Sequence, residues 1–262
     1  MIGIFDSGIG GLTVVRELMR QMPEYGIIYF GDTARYPYGN KSKQTIERYA
    51  LEDARFLISK GAKIIVVACN TASAMAIDKL RQEISLPLFE VVAPAVEKAL
   101  QVTKNKRIGV IGTRGTIKSE IYKNKILEMD ARAQVFSKAC PLFAPLVEEG
   151  WIERAETKRI IKTYVAPLKT KNIDTLILGC THYPLLKSQI QKKAGKRVVL
   201  VDSAQEVVAG IKKFLNDNPG VDKSLTRDAE KSQFYLSDLS DHTQSIASNW
   251  LGKRIIFKQG NF

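Results

Sequence analysis

The chain has 262 residues, 45% of them hydrophobic, with 40 Lys and Arg against 27 Asp and Glu for a formal net charge of +13. That length buries a sizeable core as one large domain or two smaller ones, and no apolar run approaches the roughly 18 residues of a membrane span. Lysines are scattered over many predicted helices, and short runs such as Lys192-Lys193 and Lys196-Arg197 lack interleaved aromatics, so the charge fits a solvated basic surface or an anionic small molecule rather than nucleic acid.

Met1-Ile2-Gly3-Ile4-Phe5 enters a strand at once, without the basic and apolar regions of a signal peptide. The three cysteines do not form a disulfide framework and point to reduced thiols in a cytoplasm. Strand Ile2 to Phe5 is followed by the tight turn Asp6-Ser7-Gly8-Ile9-Gly10-Gly11 and a helix over Leu12 to Met22. The turn departs from a dinucleotide fingerprint in spacing, and Asp6 at its head would repel a phosphate. Ile27 to Phe30 is a second strand, and residues 31–40 are a loop dense in turn formers and aromatics, long enough to cover a site. Ser42 to Lys60 is a helix of alternating charge, Ile64 to Ala68 a strand buried on both faces, Pro87 to Val91 another strand, and Pro94 begins a helix.

Arg107 to Ile111 starts a second series, with a turn at Gly112 to Thr116, a helix over Lys118 to Met129 and a strand over Arg132 to Phe136. Residues 140–150, with two prolines and an apolar filling, read as a packed irregular segment ending in acids. Thr157 to Lys171 is a helix, and a strand then leads to Cys180 and a helix opened by Pro184. Arg197 to Val201 is a strand and Ala204 to Asn216 a helix, while residues 216–231 read as a loop. Strand Gln233 to Leu236, a helix through Ile246 to Leu251 and strand Ile255 to Phe257 follow. Strands alternating with helices predict an α/β fold with mainly parallel sheets.

Cys69-Asn70-Thr71-Ala72-Ser73 stands where a parallel strand ends and a helix begins, the edge at which open α/β sheets bind ligands. Gly179-Cys180-Thr181-His182-Tyr183-Pro184 repeats that plan, and Ile2 to Gly8 resembles Ile108 to Gly115 at nearly the same offset. The repeats predict two pseudo-symmetric α/β halves, residues 1–93 with 205–262 and residues 94–204, each offering a thiol at its sheet edge. Structural thiols are the plain alternative. A metal site lacks a coherent ligand set, with only His182 and His242 as histidines, and a redox dithiol lacks C-x-x-C.

If the halves face each other, the active site lies at their interface with one thiol on each face of a bound molecule. Such a pair can take a proton from a tetrahedral carbon on one side and return one on the other. A free thiol, with a pKa of about 8.5, is near the operating pH. Asp6 is a candidate partner for Cys69, and His182 or Glu148 for Cys180. Ser7, Asn70, Thr71, Thr113, Thr116 and Thr181 could hydrogen-bond a carboxylate there. Cys140 reads as a packed structural thiol.

Five segments carry a family resemblance: Asp6-Ser-Gly-Ile-Gly-Gly, Gly31-Asp-Thr-Ala-Arg-Tyr-Pro-Tyr-Gly, Val67-Ala-Cys-Asn-Thr-Ala-Ser, Pro141-Leu-Phe-Ala-Pro-Leu-Val-Glu and Leu178-Gly-Cys-Thr-His-Tyr-Pro-Leu. Together they span nearly the whole chain, which resembles the bacterial glutamate racemases of the aspartate/glutamate racemase superfamily. The resemblance implies two-base racemisation of glutamate without pyridoxal phosphate, metal or other cofactor. It implies that Cys69 deprotonates the D-enantiomer and Cys180 the L-enantiomer, assisted by Asp6, Glu148 and His182. It further implies substrate binding by Asp6, Ser7, Tyr38, Gly39, Asn70, Thr71, Thr113, Thr116, Thr181 and His182. D-Glutamate for peptidoglycan synthesis and a homodimer are the other implications. The first strand starts at Ile2, without the extension usual in family members activated by a cell-wall precursor, so no such activation is expected. The same machinery acting on aspartate is the nearest rival reading, and an anion-binding module with structural cysteines is a rival of another class.

Overall fold

The computed structural model describes residues 1–252 and 254–260. The chain forms two compact units, Met1–Val91 with Ala204–Phe262, and Val92–Ser203. In chain order the strands are β1 (Ile2–Asp6), β2 (Ile27–Gly31), β3 (Ile64–Val67), β4 (Leu88–Glu90), β5 (Arg107–Gly112), β6 (Gln134–Ala139), β7 (Thr175–Gly179), β8 (Val199–Asp202), β9 (Gln233–Leu236) and β10 (Phe257–Gln259).

The first unit holds a six-stranded sheet in the order β10-β9-β2-β1-β3-β4, and the second a four-stranded sheet in the order β6-β5-β7-β8. Every strand pair in both sheets is parallel. The segment β2-β1-β3-β4 of the first sheet therefore has the same order as β6-β5-β7-β8, and the repeat visible in the sequence is a repeat of topology.

Successive side chains of a strand point to opposite faces. Ile64, Val66 and Ala68 enter one core of the first unit, and Ile65, Val67 and Cys69 enter the other. This explains the unbroken apolar run, since β3 is covered on both sides. In the second unit Ile108, Val110, Ile177 and Val201 pack with Val92, Val96 and Ile126 in one core.

Element ends shift by a few residues, as where the strand expected at Ile255 to Phe257 runs Phe257–Gln259, and the expected segments differ in kind in four places. Residues 118–129 are not one helix: Arg114–Lys118 and Ile121–Met129 are separate, with Glu120 between them at φ 54°. Residues 140–150 are not irregular, because Phe143–Glu148 is helical with Pro145 in its first turn, where a missing N–H breaks no intrahelical bond. Pro184 lies in a 3₁₀ turn, Tyr183–Leu186, and the α-helix begins after it at Lys187. Within residues 216–231 a short helix, Pro219–Ser224, starts on its proline, and Ala229–Lys231 is a 3₁₀ turn.

Candidate active site

In the first unit, β1 and β3 are neighbours with Phe5 opposite Val67. The Asp6-Ser7 turn and Cys69 therefore emerge side by side at the C-terminal edge of the sheet. Cys69 is the N-cap of the helix Asn70–Glu83, and the Ser73 amide donates to its carbonyl at 2.8 Å. Asn70, Thr71 and Ser73 fill the first turn of that helix, all buried. The Cys69 thiol lies 3.6 Å from Ser7 Oγ.

Asp6 is fully buried, and its Oδ2 accepts the Gly8 amide at 3.1 Å. Tyr29, buried beneath the turn, donates its hydroxyl to the Gly8 carbonyl at 2.6 Å. Burial, then the charges of Asp6 and Cys69, raise the Tyr29 pKa well above the ordinary value, so it stays a phenol and a donor. The turn has little spare room: a Cβ at Gly11 would sit 2.5 Å from the Asp6 Cβ. The Tyr36 ring lies over Gly8, so the 31–40 loop packs on the same turn.

Tyr38 is buried, and its hydroxyl is taken up by Asp32 and Asp53. Tyr38 and the half-buried Gly39 lie in the 3₁₀ turn Tyr38–Asn40.

The second unit repeats the edge. Gly112 of β5 is opposite Gly179 of β7, so Thr113 and Cys180 emerge together. Thr113 caps the helix Arg114–Lys118, accepting the Thr116 amide at 3.2 Å, and the two hydroxyls lie 3.0 Å apart. Thr116 and Thr181 are buried. Cys180 Sγ lies 3.7 Å from His182 Nδ1, and His182 Nε2 lies 2.8 Å from Glu148 Oε1. The two groups read as alternative partners of the thiol thus stand in series. Burial opposes charge on His182, yet the contacts to Cys180 and Glu148 outweigh it and carry its pKa up to about 10. As an imidazolium it donates to both neighbours.

Cys140 is fully buried, with its thiol 3.6 Å from the Lys138 carbonyl, and burial raises its pKa far above that of a free thiol. It is the inert member of the three. Among the described residues, no group of three or more His, Cys, Asp or Glu is placed to hold a metal ion.

The sequence model of the Asp/Glu/Hydantoin racemase family matches residues 11–210. A glutamate racemase from Persephonella marina is 53% identical over 240 residues, covering 91% of this chain and 92% of its own. The chain belongs to the glutamate racemase family. It is thus an enzyme of the isomerase class. Among solved structures, a glutamate racemase isoform from Bacillus anthracis superposes with a TM-score of 0.93 at 38% identity, covering 100% of this chain and 97% of that one. A Francisella tularensis glutamate racemase, solved in complex with D-glutamate, gives 0.89 at 36% identity, covering 98% and 95%.

Sequence reasoning assigned no role to Tyr29, Arg35 or Asp53. Asp53 sits in the helix that reads only as one of alternating charge. However, it is in phase with Ile46, Ala50, Ala54 and Leu57, the buried stripe, and that phase is the signal that marks it as an inward carboxyl.

Proposed function

We propose that this chain interconverts L- and D-glutamate by two-base proton transfer, with Cys69 and Cys180 as the bases. The observation that carries the reading is the paired thiols, each at the C-terminal edge of the corresponding strand of a repeated sheet, in a chain of the glutamate racemase family. In the D-to-L direction the Cys69 thiolate takes the Cα proton, and the Cys180 thiol delivers its own proton to the opposite face. The reaction ends with Cys69 as a thiol and Cys180 as a thiolate, and the L-to-D direction reverses every step.

The intermediate carries negative charge that spreads into the substrate carboxylate. Hydrogen-bond donors already fixed in place stabilise it without reorganising. Ser7, Asn70, Thr71, Thr113, Thr116 and Thr181, with the backbone at Tyr38 and Gly39, are the groups assigned to that task. His182, held by Glu148, balances charge at Cys180 as its proton leaves, and Asp6 serves the Cys69 side. The product D-glutamate would supply peptidoglycan synthesis, and the enzyme would act as a cytoplasmic homodimer. No helix among the described residues is long and apolar enough to cross a membrane.

Incubation with L-glutamate in heavy water, without added cofactor, tests the reading. Loss of optical rotation with deuterium entering Cα is expected. Cys69→Ala and Cys180→Ala should each lose inversion by about 10²- to 10⁴-fold or more, the range for removing a general acid or base. Undiminished turnover in either variant would refute the two-base assignment, and turnover of aspartate in preference to glutamate would move the substrate to the rival reading.

A further inference from the structure

Three carboxyl groups converge on one guanidinium in the first unit. Arg35 Nε donates to Asp32 Oδ2 at 2.6 Å, Nη2 donates to Asp53 Oδ1 at 2.9 Å, and Nη1 donates to Glu52. Asp32 and Asp53 are fully buried. The Tyr38 hydroxyl lies 2.5 Å from Asp32 Oδ2 and 2.9 Å from Asp53 Oδ2.

A phenol has one proton to donate, and an ionised carboxylate can only accept. The second carboxyl oxygen facing Tyr38 is matched only if it carries a proton of its own. Charge balance gives the same answer. Three carboxylates around one guanidinium leave excess negative charge, two of them in full burial, where uncompensated charge is most costly. One bound proton halves that excess and leaves the two buried carboxyls and the guanidinium with no net charge.

The proton belongs on Asp53. Leaving Tyr38 aside, Asp32 has a donor on each oxygen, Ser237 Oγ on Oδ1 at 2.9 Å and Arg35 Nε on Oδ2, whereas Asp53 is met by Arg35 on Oδ1 and faces Tyr38 with Oδ2. Burial, then the neighbouring Asp32 charge, push the Asp53 carboxyl well above the usual range, against the pull of Arg35. The cluster also ties down the loop. Ser237 Oγ accepts the Ala34 amide at 2.9 Å, and the Arg35 guanidinium lies 4.1 Å over the Tyr49 ring.

We propose that Asp53 is a neutral carboxylic acid that donates to Tyr38, which donates to Asp32, and that this one-way relay positions the Tyr38–Gly39 backbone for substrate. The positioning half rests on the reading of that backbone as part of the glutamate site. Asp53, Asp32 and Arg35 are then positioning residues that act through Tyr38.

The test uses the full chain. Infrared difference spectra of the parent and Asp53→Asn should show a protonated-carboxyl C=O stretch at neutral pH that the variant lacks. An amide accepts from Arg35 and donates to Tyr38 as the neutral acid does, so Asp53→Asn should keep kcat and KM within about twofold of the parent. Tyr38→Phe breaks the relay and should raise KM for glutamate about tenfold, with a smaller change in kcat. Retention of the infrared band in Asp53→Asn, or a KM in that variant as high as in Tyr38→Phe, would overturn the relay. A parent that fails to racemise glutamate would sink the functional reading instead, and the infrared comparison, which needs no turnover, still decides where the proton sits.

Discussion

His182 stands between a thiol and a carboxylate, and that position fixes a pH window. Its pKa in the folded chain is about 10, against about 6.5 for an unperturbed histidine. A raised folded pKa stabilises the native state fully below about 6.5, and the contribution is lost as pH rises toward 10. Glu148→Gln removes the carboxylate partner of His182. The upper end of the window should move down, and the alkaline limb of the kcat/KM profile should shift to lower pH with it. Denaturation curves and rate profiles collected across that range check both, and superimposable curves for parent and variant would refute the role given to Glu148. At this scale the sequence marks residues whose neighbours in the chain are informative. Cys180 and His182 are two apart, on one turn, and are legible together. Arg35 and Asp53 are brought together only by folding, and nothing local to Asp53 announces its partner.

Among the connecting elements, the Asp6–Gly11 turn has the least tolerance. Gly11 has an ordinary helical backbone, so its requirement is steric: an added methyl meets Asp6 and the Tyr29 hydroxyl. Gly11→Ala should cost about 1–3 kcal/mol of stability, as overpacking does, and should lower kcat/KM by displacing Asp6. Urea unfolding and steady-state rates measure the two effects, and parental values in both would show that the turn yields freely. Strands of this kind are easy to read because burial on both faces demands continuous β-branched runs, as in Ile64–Val67. The helix Phe143–Glu148 is hard to read because Pro141 and Pro145 look like breakers. Their effect depends on position within a turn, which the sequence does not display. Similarly, the break at Glu120 is a left-handed residue without the glycine that usually signals one.

For the whole molecule, the repeat is the feature that composition alone would miss and that paired strand-turn signatures reveal. The homodimer assigned to it should sediment at equilibrium with twice the 29.2 kDa chain mass; a single-chain mass at assay concentration would exclude it. The order of strands along the chain has a further consequence, for synthesis. The ribosome releases β1, β2 and β3 early, but β2 gains its outer neighbour only when β9 appears, after all of Val92–Ser203 has emerged. Until then the nascent first unit carries an open strand edge, the kind that invites pairing with other chains. Ser237, which anchors Asp32, follows β9 immediately. The Arg35 cluster therefore lacks its Ser237 contact until translation is nearly complete, and a chain stalled before Gln233 would hold both thiols without the anchor that ties Asp32 and the Ala34 amide together.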